Sequence, residues 1–308
     1  MAIAASAKSR VAYVAEVTPG IIPATPTWLV LRRTGGGLMT KKGTVESEEM
    51  NLDARTRAIY QVSQDVAGQY DFEASSGSFD DMIAGVLQSV WAANAISDGV
   101  TQVPFSFEET VDIGGGAFAY NRFAGCEISS MALNFASRAA VKGSMNIMGQ
   151  IETVDTAILT GATYTQPNAN PIETAVSVAS LAILGLNPVP RIKNLSLNIE
   201  RGLRIRDQVG SLYSSQFGIS TTKVTGSFDA YFESNTVYSQ VLAHGIGALS
   251  LNFGGTANKR YTISLPNVQL LDGQRKLGTR NTDVMVTIAF EAVGTSTTPL
   301  LTVTRLVA

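Results

Sequence analysis

The 308-residue chain contains one cysteine, Cys126, and one histidine, His244. A lone cysteine excludes an intrachain disulfide and leaves the redox compartment unconstrained, although reduced cytosol suits it. A His/Cys metal site needs more ligands than these two residues supply. A Ser–His–Asp triad would have to use His244, and no G-x-S-x-G elbow is present to place a serine. His244 instead reads as a helix-end residue whose partial charge suits the helix dipole. Cys126, beside Gly125 in an expected strand, reads as a small packing residue. Charge is also scarce: Asp, Glu, Lys and Arg make up 16% of the chain, against roughly 25% in typical soluble domains. The net charge is −2, with no basic cluster, and a tight nucleic-acid binder needs a Lys/Arg stripe. The longest apolar run, Ala175–Leu186, falls short of the about 20 residues that span a bilayer, so no membrane partner is expected. Met1–Val17 carries Lys8 and Arg10 without an apolar core after them, unlike a signal peptide. Neither glycine triplet, Gly35–Gly37 or Gly114–Gly116, matches a phosphate cradle, and both read as hairpin turns. Glu46, Glu48, Glu49 and Asp53 cluster without a glycine-centred calcium loop, which leaves a solvated or partner-facing run. With no catalytic constellation, no cofactor and no metal site, the chain does not read as an enzyme.

What is present points to sheets. Apolar residues reach 45%, glycine numbers 28, serine and threonine are frequent, and long Glu/Lys/Ala-rich helical runs are missing. That composition is mostly β with many turns. The low charge suits either a surface largely covered by partners or a neutral monomer. The most informative stretch is Val66–Trp91. Val66, Gly68, Tyr70, Phe72 and Ala74 alternate with Ala67, Gln69, Asp71 and Glu73, the period of a half-buried strand. Phe79, Met82, Ile83, Val86, Leu87 and Val90 then fall at helical spacing, with Ser78 as the expected N-cap. The unit recurs 158 residues later. Val224, Gly226, Phe228, Ala230 and Phe232 alternate with Thr225, Ser227, Asp229, Tyr231 and Glu233. Ser234 or Asn235 caps a second helix with Val237, Tyr238, Val241 and Leu242 on its apolar side. V-x-G-x-aromatic-Asp appears in both, the mark of a duplicated unit.

The chain divides accordingly into 1–157 and 158–308. Residues 1–27, with Pro19, Gly20, Pro23 and Pro26, read as an extended arm that forbids helix and central strand. Its apolar Ile21 and Ile22, with Trp28 following, must lie on something, either their own domain or a neighbouring subunit. Trp28–Arg32 and Leu38–Ser47 read as strands. Residues 44–65 form a long excursion with mixed charges, either a solvated loop or an interaction hairpin. Phe118–Ala136 holds a strand with a bulge expected near Ser129–Met131, and Val141–Met148 closes the first half. Residues 158–174 contain the linker, with its breaker at Gln166–Pro171. Ala175–Leu186 is a buried strand or a short helix. In the second half Asn194–Glu200 alternates strictly, a second excursion covers 203–223, and strands are expected at Ala248–Phe253, Tyr261–Leu265 and Val284–Glu291. Turns are expected at Gly254–Asn258 and Asp272–Gly273, and 294–308 reads as a C-terminal arm.

The segment running T-P-G-x-x-P from Thr18 to Pro23, then Trp28, Leu31, Thr34 and Gly35, resembles the start of phage major tail tube proteins from long, flexible-tailed phages. The E-S-E-E run at Glu46–Glu49, continuing to Arg57 and followed by Val66 and Gly68, is similar to the same family. So is the closing block Tyr261–Phe290. The resemblance implies tandem β-sandwich or barrel domains, each with one flanking helix, whose excursions and arms bridge neighbouring subunits. It implies a virion protein, assembled in the host cytoplasm, whose six-domain rings stack into a tube that conducts DNA. Tape-measure, tail terminator and distal tail proteins are the implied partners. Two such units per chain lead to the expectation of trimeric rings with approximate sixfold symmetry, with a hexamer of whole chains as the alternative. The expected inter-subunit and inter-ring contacts are Ile21, Ile22, Trp28, Glu46, Glu48, Glu49, Asp53, Arg55, Arg57, Arg201, Arg204 and Arg206. The acid-rich first excursion and the basic second one would set register by opposite charge. Asp71, Glu73, Asp229 and Glu233 are expected either to line the lumen or to face outer solvent. The competing reading, a carbohydrate- or receptor-binding sandwich, needs exposed aromatic platforms. With two tryptophans and 7% aromatics, mostly at alternating buried positions, it is the weaker one.

Overall fold

A computed structural model of the chain describes residues 3–167, 172, 178–183, 189–254 and 259–307. Among these the fold is mostly β, with two α-helices. The first half runs β1 (Ser9–Ala15), β2 (Thr27–Val30), β3 (Arg33–Glu46), β4 (Ile59–Glu73), α1 (Asp80–Leu87), β5 (Ala95–Ser97), β6 (Phe105–Gly114), β7 (Ala117–Ala136), β8 (Lys142–Gly149), β9 (Ile151–Asp155) and β10 (Thr163–Thr165). The second runs β11 (Val178–Ile183), β12 (Ile192–Glu200), β13 (Arg204–Ile205), β14 (Phe217–Gly218), β15 (Lys223–Tyr231), α2 (Asn235–Leu242), β16 (Ile246–Phe253), β17 (Lys259–Lys276), β18 (Met285–Ala292) and β19 (Thr302–Val307).

Eight antiparallel strands lie side by side in the order β3-β4-β8-β7-β12-β15-β18-β17. The sheet therefore runs through both halves without a break. β7 is long enough to serve two layers. Its first part pairs with β6 and β9, its last part with β8 and β12. The core lies between layers, where alternating strands bury one face. Tyr70 meets Phe107 at 5.7 Å and Phe72 stacks on Phe79 of the α1 cap at 4.4 Å. In the second half Phe228 meets Phe290 at 6.3 Å.

The first four and last four strands of this sheet follow one pattern. Gly68 lies opposite Ile147 as Gly226 lies opposite Phe290. Tyr70 faces Met145 as Phe228 faces Ile288, and Asp71 faces Ser144 as Asp229 faces Thr287. A one-residue bulge interrupts β7 between Ile128 and Ser130, where the change of alternation placed it, and β17 between Leu270 and Gly273.

Several local expectations are corrected. Ser9–Ala15 is not part of a free arm: β1 pairs with β2 and β6, and Val11, Ala12 and Tyr13 are buried. Thr302–Val307 likewise forms β19, bound to β17 and to β5 of the first half. β10, inside the expected linker, pairs in parallel with β2. Gly35–Gly37 is not a turn but the start of β3. At Gly36, φ is +85° and an added Cβ would stand 2.0 Å from the Gln69 carbonyl oxygen. Glycine there permits close strand approach at a register shift, not chain reversal. Asp272–Gly273 also continues a strand, β17. α1 starts at Asp80, so the cap falls one residue past Ser78, on Phe79, which makes no side-chain bond. Ser234 does cap α2, accepting from the Thr236 N–H at 3.3 Å. Within the expected strand or short helix Ala175–Leu186, the described part, Val178–Ile183, is strand β11; the rest of that run, the breaker residues 168–171 and the turn residues 255–258 lie outside the described residues.

Candidate assembly surfaces

The eight-stranded sheet turns one face to the core and the other away from it. Along β4 the outer face carries Gln69, Asp71 and Glu73, along β8 Lys142, Ser144 and Asn146, and along β12 Ser196 and Asn198, all half-buried or exposed. β15 adds Thr225, Ser227 and Asp229. Polar side chains bridge adjacent strands. Asn194 donates to Asp229 at 3.3 Å, Thr287 donates to the other Asp229 oxygen at 2.5 Å, and the Ser196 and Ser227 hydroxyls meet at 2.9 Å. Asn146 donates to Ser130 at 2.8 Å, and within β4 itself Gln69 donates to Asp71 at 2.7 Å. Lysines on this face sit in register opposite carboxylates: Lys142 opposite Glu73, and Lys223 opposite Glu200.

The two halves meet at β7 and β12, paired from Ala136–Asn194 to Ser130–Glu200. Beside this joint Arg201 is 2% exposed. Its guanidinium donates to Gln88 at 2.9 Å, to the Thr222 hydroxyl and to the Gly99 carbonyl. Gln88 is placed by the left-handed end of α1, at φ 46°. Glu127, also buried, accepts from Gln88 at 3.3 Å and Gln102 at 3.1 Å. Burial pushes its carboxyl up to about 7, partly offset by the Gln102 hydrogen bond and by Arg201 and Arg206. A second tie runs through the first turn of α1. Asp80 accepts from Tyr261 and Arg305, both from the second half, and Asp81 accepts from Tyr13 at 3.2 Å. Carboxylates suit that helix end, and burial beside them raises the Tyr13 and Tyr261 hydroxyls far above the ordinary phenol value.

The β3–β4 hairpin projects from the sheet. Its end exposes Val45, Met50, Leu52, Ile59 and Tyr60, with Met50 98% exposed. The second excursion behaves differently. Gln64 donates its N–H to the Leu212 carbonyl at 2.7 Å, and Ser214 donates to Asp65 through its N–H and hydroxyl. It therefore folds back on β4 of the same chain.

Residues 6–292 match the protein family described as Phage tail tube protein. The chain belongs to that family. One match covers strands of both halves, from before β1 to the end of β18. A search of curated proteins finds no match. Membership makes this tail tube protein a structural component of the virion that assembles with copies of itself. Among the described residues no helix is long and apolar enough to cross a membrane.

Within the tail tube protein, the structure sorts the residues singled out from the sequence. Asp71, Glu73 and Asp229 share the polar face, while Glu233 lies beyond β15 and pairs with Arg191 at 3.3 Å. Glu46, Glu48, Glu49, Asp53, Arg55 and Arg57 lie exposed on the hairpin, with Arg57 and Asp53 paired at 3.2 Å. Arg204 and Arg206 are exposed and Ile21 is 61% exposed, whereas Ile22 is half-buried. Two assignments are corrected: Trp28 and Arg201 are buried in their own chain, so neither presents a side chain to a neighbour. Reasoning from charge missed Met50, Leu52, Ile59 and Tyr60. Their signal was apolar residues inside a polar stretch, which a chain leaves in water only at a cost.

Proposed function

We propose that three copies of this chain close into a ring, that rings stack into the tube of a long-tailed phage, and that the polar face lines its lumen. The unbroken eight-stranded sheet, apolar on one side and polar on the other, carries this reading. Its two four-strand groups share strand order, register and bulge, as a duplicated unit would. Their side-by-side joint favours both units within one ring wall over a hexamer with the second unit outside. Six units from three chains would then give approximate sixfold symmetry. Stacking leaves an open filament where ring contacts close. The hairpin end, with Met50 and Leu52, and the segment around Ile21 are the inter-ring contacts in this reading. The role is structural, not catalytic, with DNA passing through and with tape-measure, terminator and distal tail proteins as partners at the tube's axis and ends. Electron microscopy of the purified protein tests it. Tubes whose cross-section contains three chains are expected, and monomers at every concentration, or rings of six chains, would overturn it.

A further inference from the structure

The joint between halves also specifies a joint between chains. This rests on the ring reading above and adds the pairing that closes it. We infer that Asp272–Leu277, the end of β17 and the residue that follows it, pairs with Gly36–Lys41 of β3 in a second copy, with Gln274 opposite Met39.

The register follows from counterparts. Leu38 and Leu197 stand opposite Gly68 and Gly226, and Thr40 and Ile199 stand opposite Val66 and Val224, so β3 corresponds to β12. Gly273 and Met131 stand opposite Ile288 and Met145, so the end of β17 corresponds to the end of β7. Inside the chain β7 and β12 are joined, with Ala132 opposite Asn198. Among the described residues their counterparts are unjoined: β3 pairs only with β4, and Gly273–Lys276 pair only with β18. Unpaired edges of this kind are templates for another strand.

Exposure marks the same place. Phe135, covered at the internal joint, is 6% exposed, while its counterpart Leu277 is 68% exposed and Met39 on the facing edge is 60% exposed. The Leu38 N–H donates to a side chain, the Glu109 carboxylate, at 2.9 Å. At the internal joint its counterpart Leu197 faces Leu133 of the next strand. In the inferred register Asp272 falls opposite Lys41, which already faces Asp65 across β3 and β4. That places an ammonium between two carboxylates, and opposite charges directly across strands are favourable.

Paired cysteines test the register in assembled protein. Residues directly opposite hold their Cβ atoms about 4.5–5.5 Å apart, and diagonal neighbours about 7–8 Å. Ala132→Cys with Asn198→Cys serves as the intrachain reference. Met39→Cys with Gln274→Cys, oxidised, is expected to link chains, ending at three on a denaturing gel. Lys41→Cys with Gln274→Cys, two residues out of register, is expected to link at least tenfold less. Tubes visible by microscopy without the Met39–Gln274 link, or with equal linking of the shifted pair, would overturn the register and leave the tube reading standing. Absence of any polymer from the unmodified chain would remove both. A charge exchange gives a readout that needs no cysteine. Lys41→Asp alone is expected to impair polymerisation, and Asp272→Lys added to it to recover polymers. Failure of the pair to recover, with each variant folded by circular dichroism, would count against the seam.

Discussion

Gly226 shows why the V-x-G signature has the form it does. An added Cβ would stand 2.4 Å from Phe290 Cζ and 2.4 Å from the Ser196 carbonyl oxygen. The Phe290 ring lies directly across from the glycine and fills the space that a side chain would take. Gly226→Ala is therefore expected to destabilise the chain by about 1–3 kcal/mol, the usual cost of overpacking, read as a lower melting temperature. Glu127 argues at the same scale through protonation. Its folded value of about 7 lies above the ordinary 4.5, so the folded chain holds this proton more tightly than the unfolded one. Its contribution is then fully present below about pH 4.5 and is lost as pH rises through 7. Thermal melts between pH 5 and 8 are expected to show stability falling with pH, and more shallowly in Glu127→Gln. Equal slopes would mean that the carboxyl is already ionised throughout.

At the scale of the element, the end of the β3–β4 hairpin exposes Met50 and Leu52 almost completely. Replacing Met50 and Leu52 by serine removes side chains that contact little in the isolated chain. The melting temperature of unassembled protein is expected to change little, within about 0.5 kcal/mol of stability. Tubes are expected to be short or absent in micrographs. Full-length tubes from this variant would exclude the hairpin end from the inter-ring contacts. Strands with clean alternation were legible in the sequence: β4, β8, β12 and β15 lie where the two-residue period put them. Glycine was the poorer guide, because Gly35–Gly37 and Gly273 serve close approach and a bulge within long strands. Ser78 failed as a cap because tertiary contacts took over the helix start. The Gly77 N–H donates to the Tyr261 hydroxyl, and the Asp80 carbonyl accepts from Trp91. Arg201 looked like a surface charge only because its partners, Gln88 and Gly99, lie about a hundred residues away in sequence and come together through β7 and β12.

For the whole molecule, a polar face that lines the lumen, as proposed, would have to let a polyanion slide. On this face lysines stand in register opposite carboxylates, Lys142 opposite Glu73 and Lys223 opposite Glu200, an arrangement that favours opposite charges across strands. Asp71 and Asp229, at corresponding positions, have hydroxyl and amide partners instead and keep a net negative surface. Replacing both by lysine would put two new cations per chain on that face, repeated in every ring. Each phosphate neutralised releases counterions and adds affinity that falls with salt. Tubes of Asp71→Lys with Asp229→Lys are expected to form, to bind linear duplex DNA more tightly than the unmodified tube at low salt, and to slow ejection when built into virions. Binding that is unchanged, with tubes intact, would place this face on the outside of the wall and assign the lumen to the opposite layer.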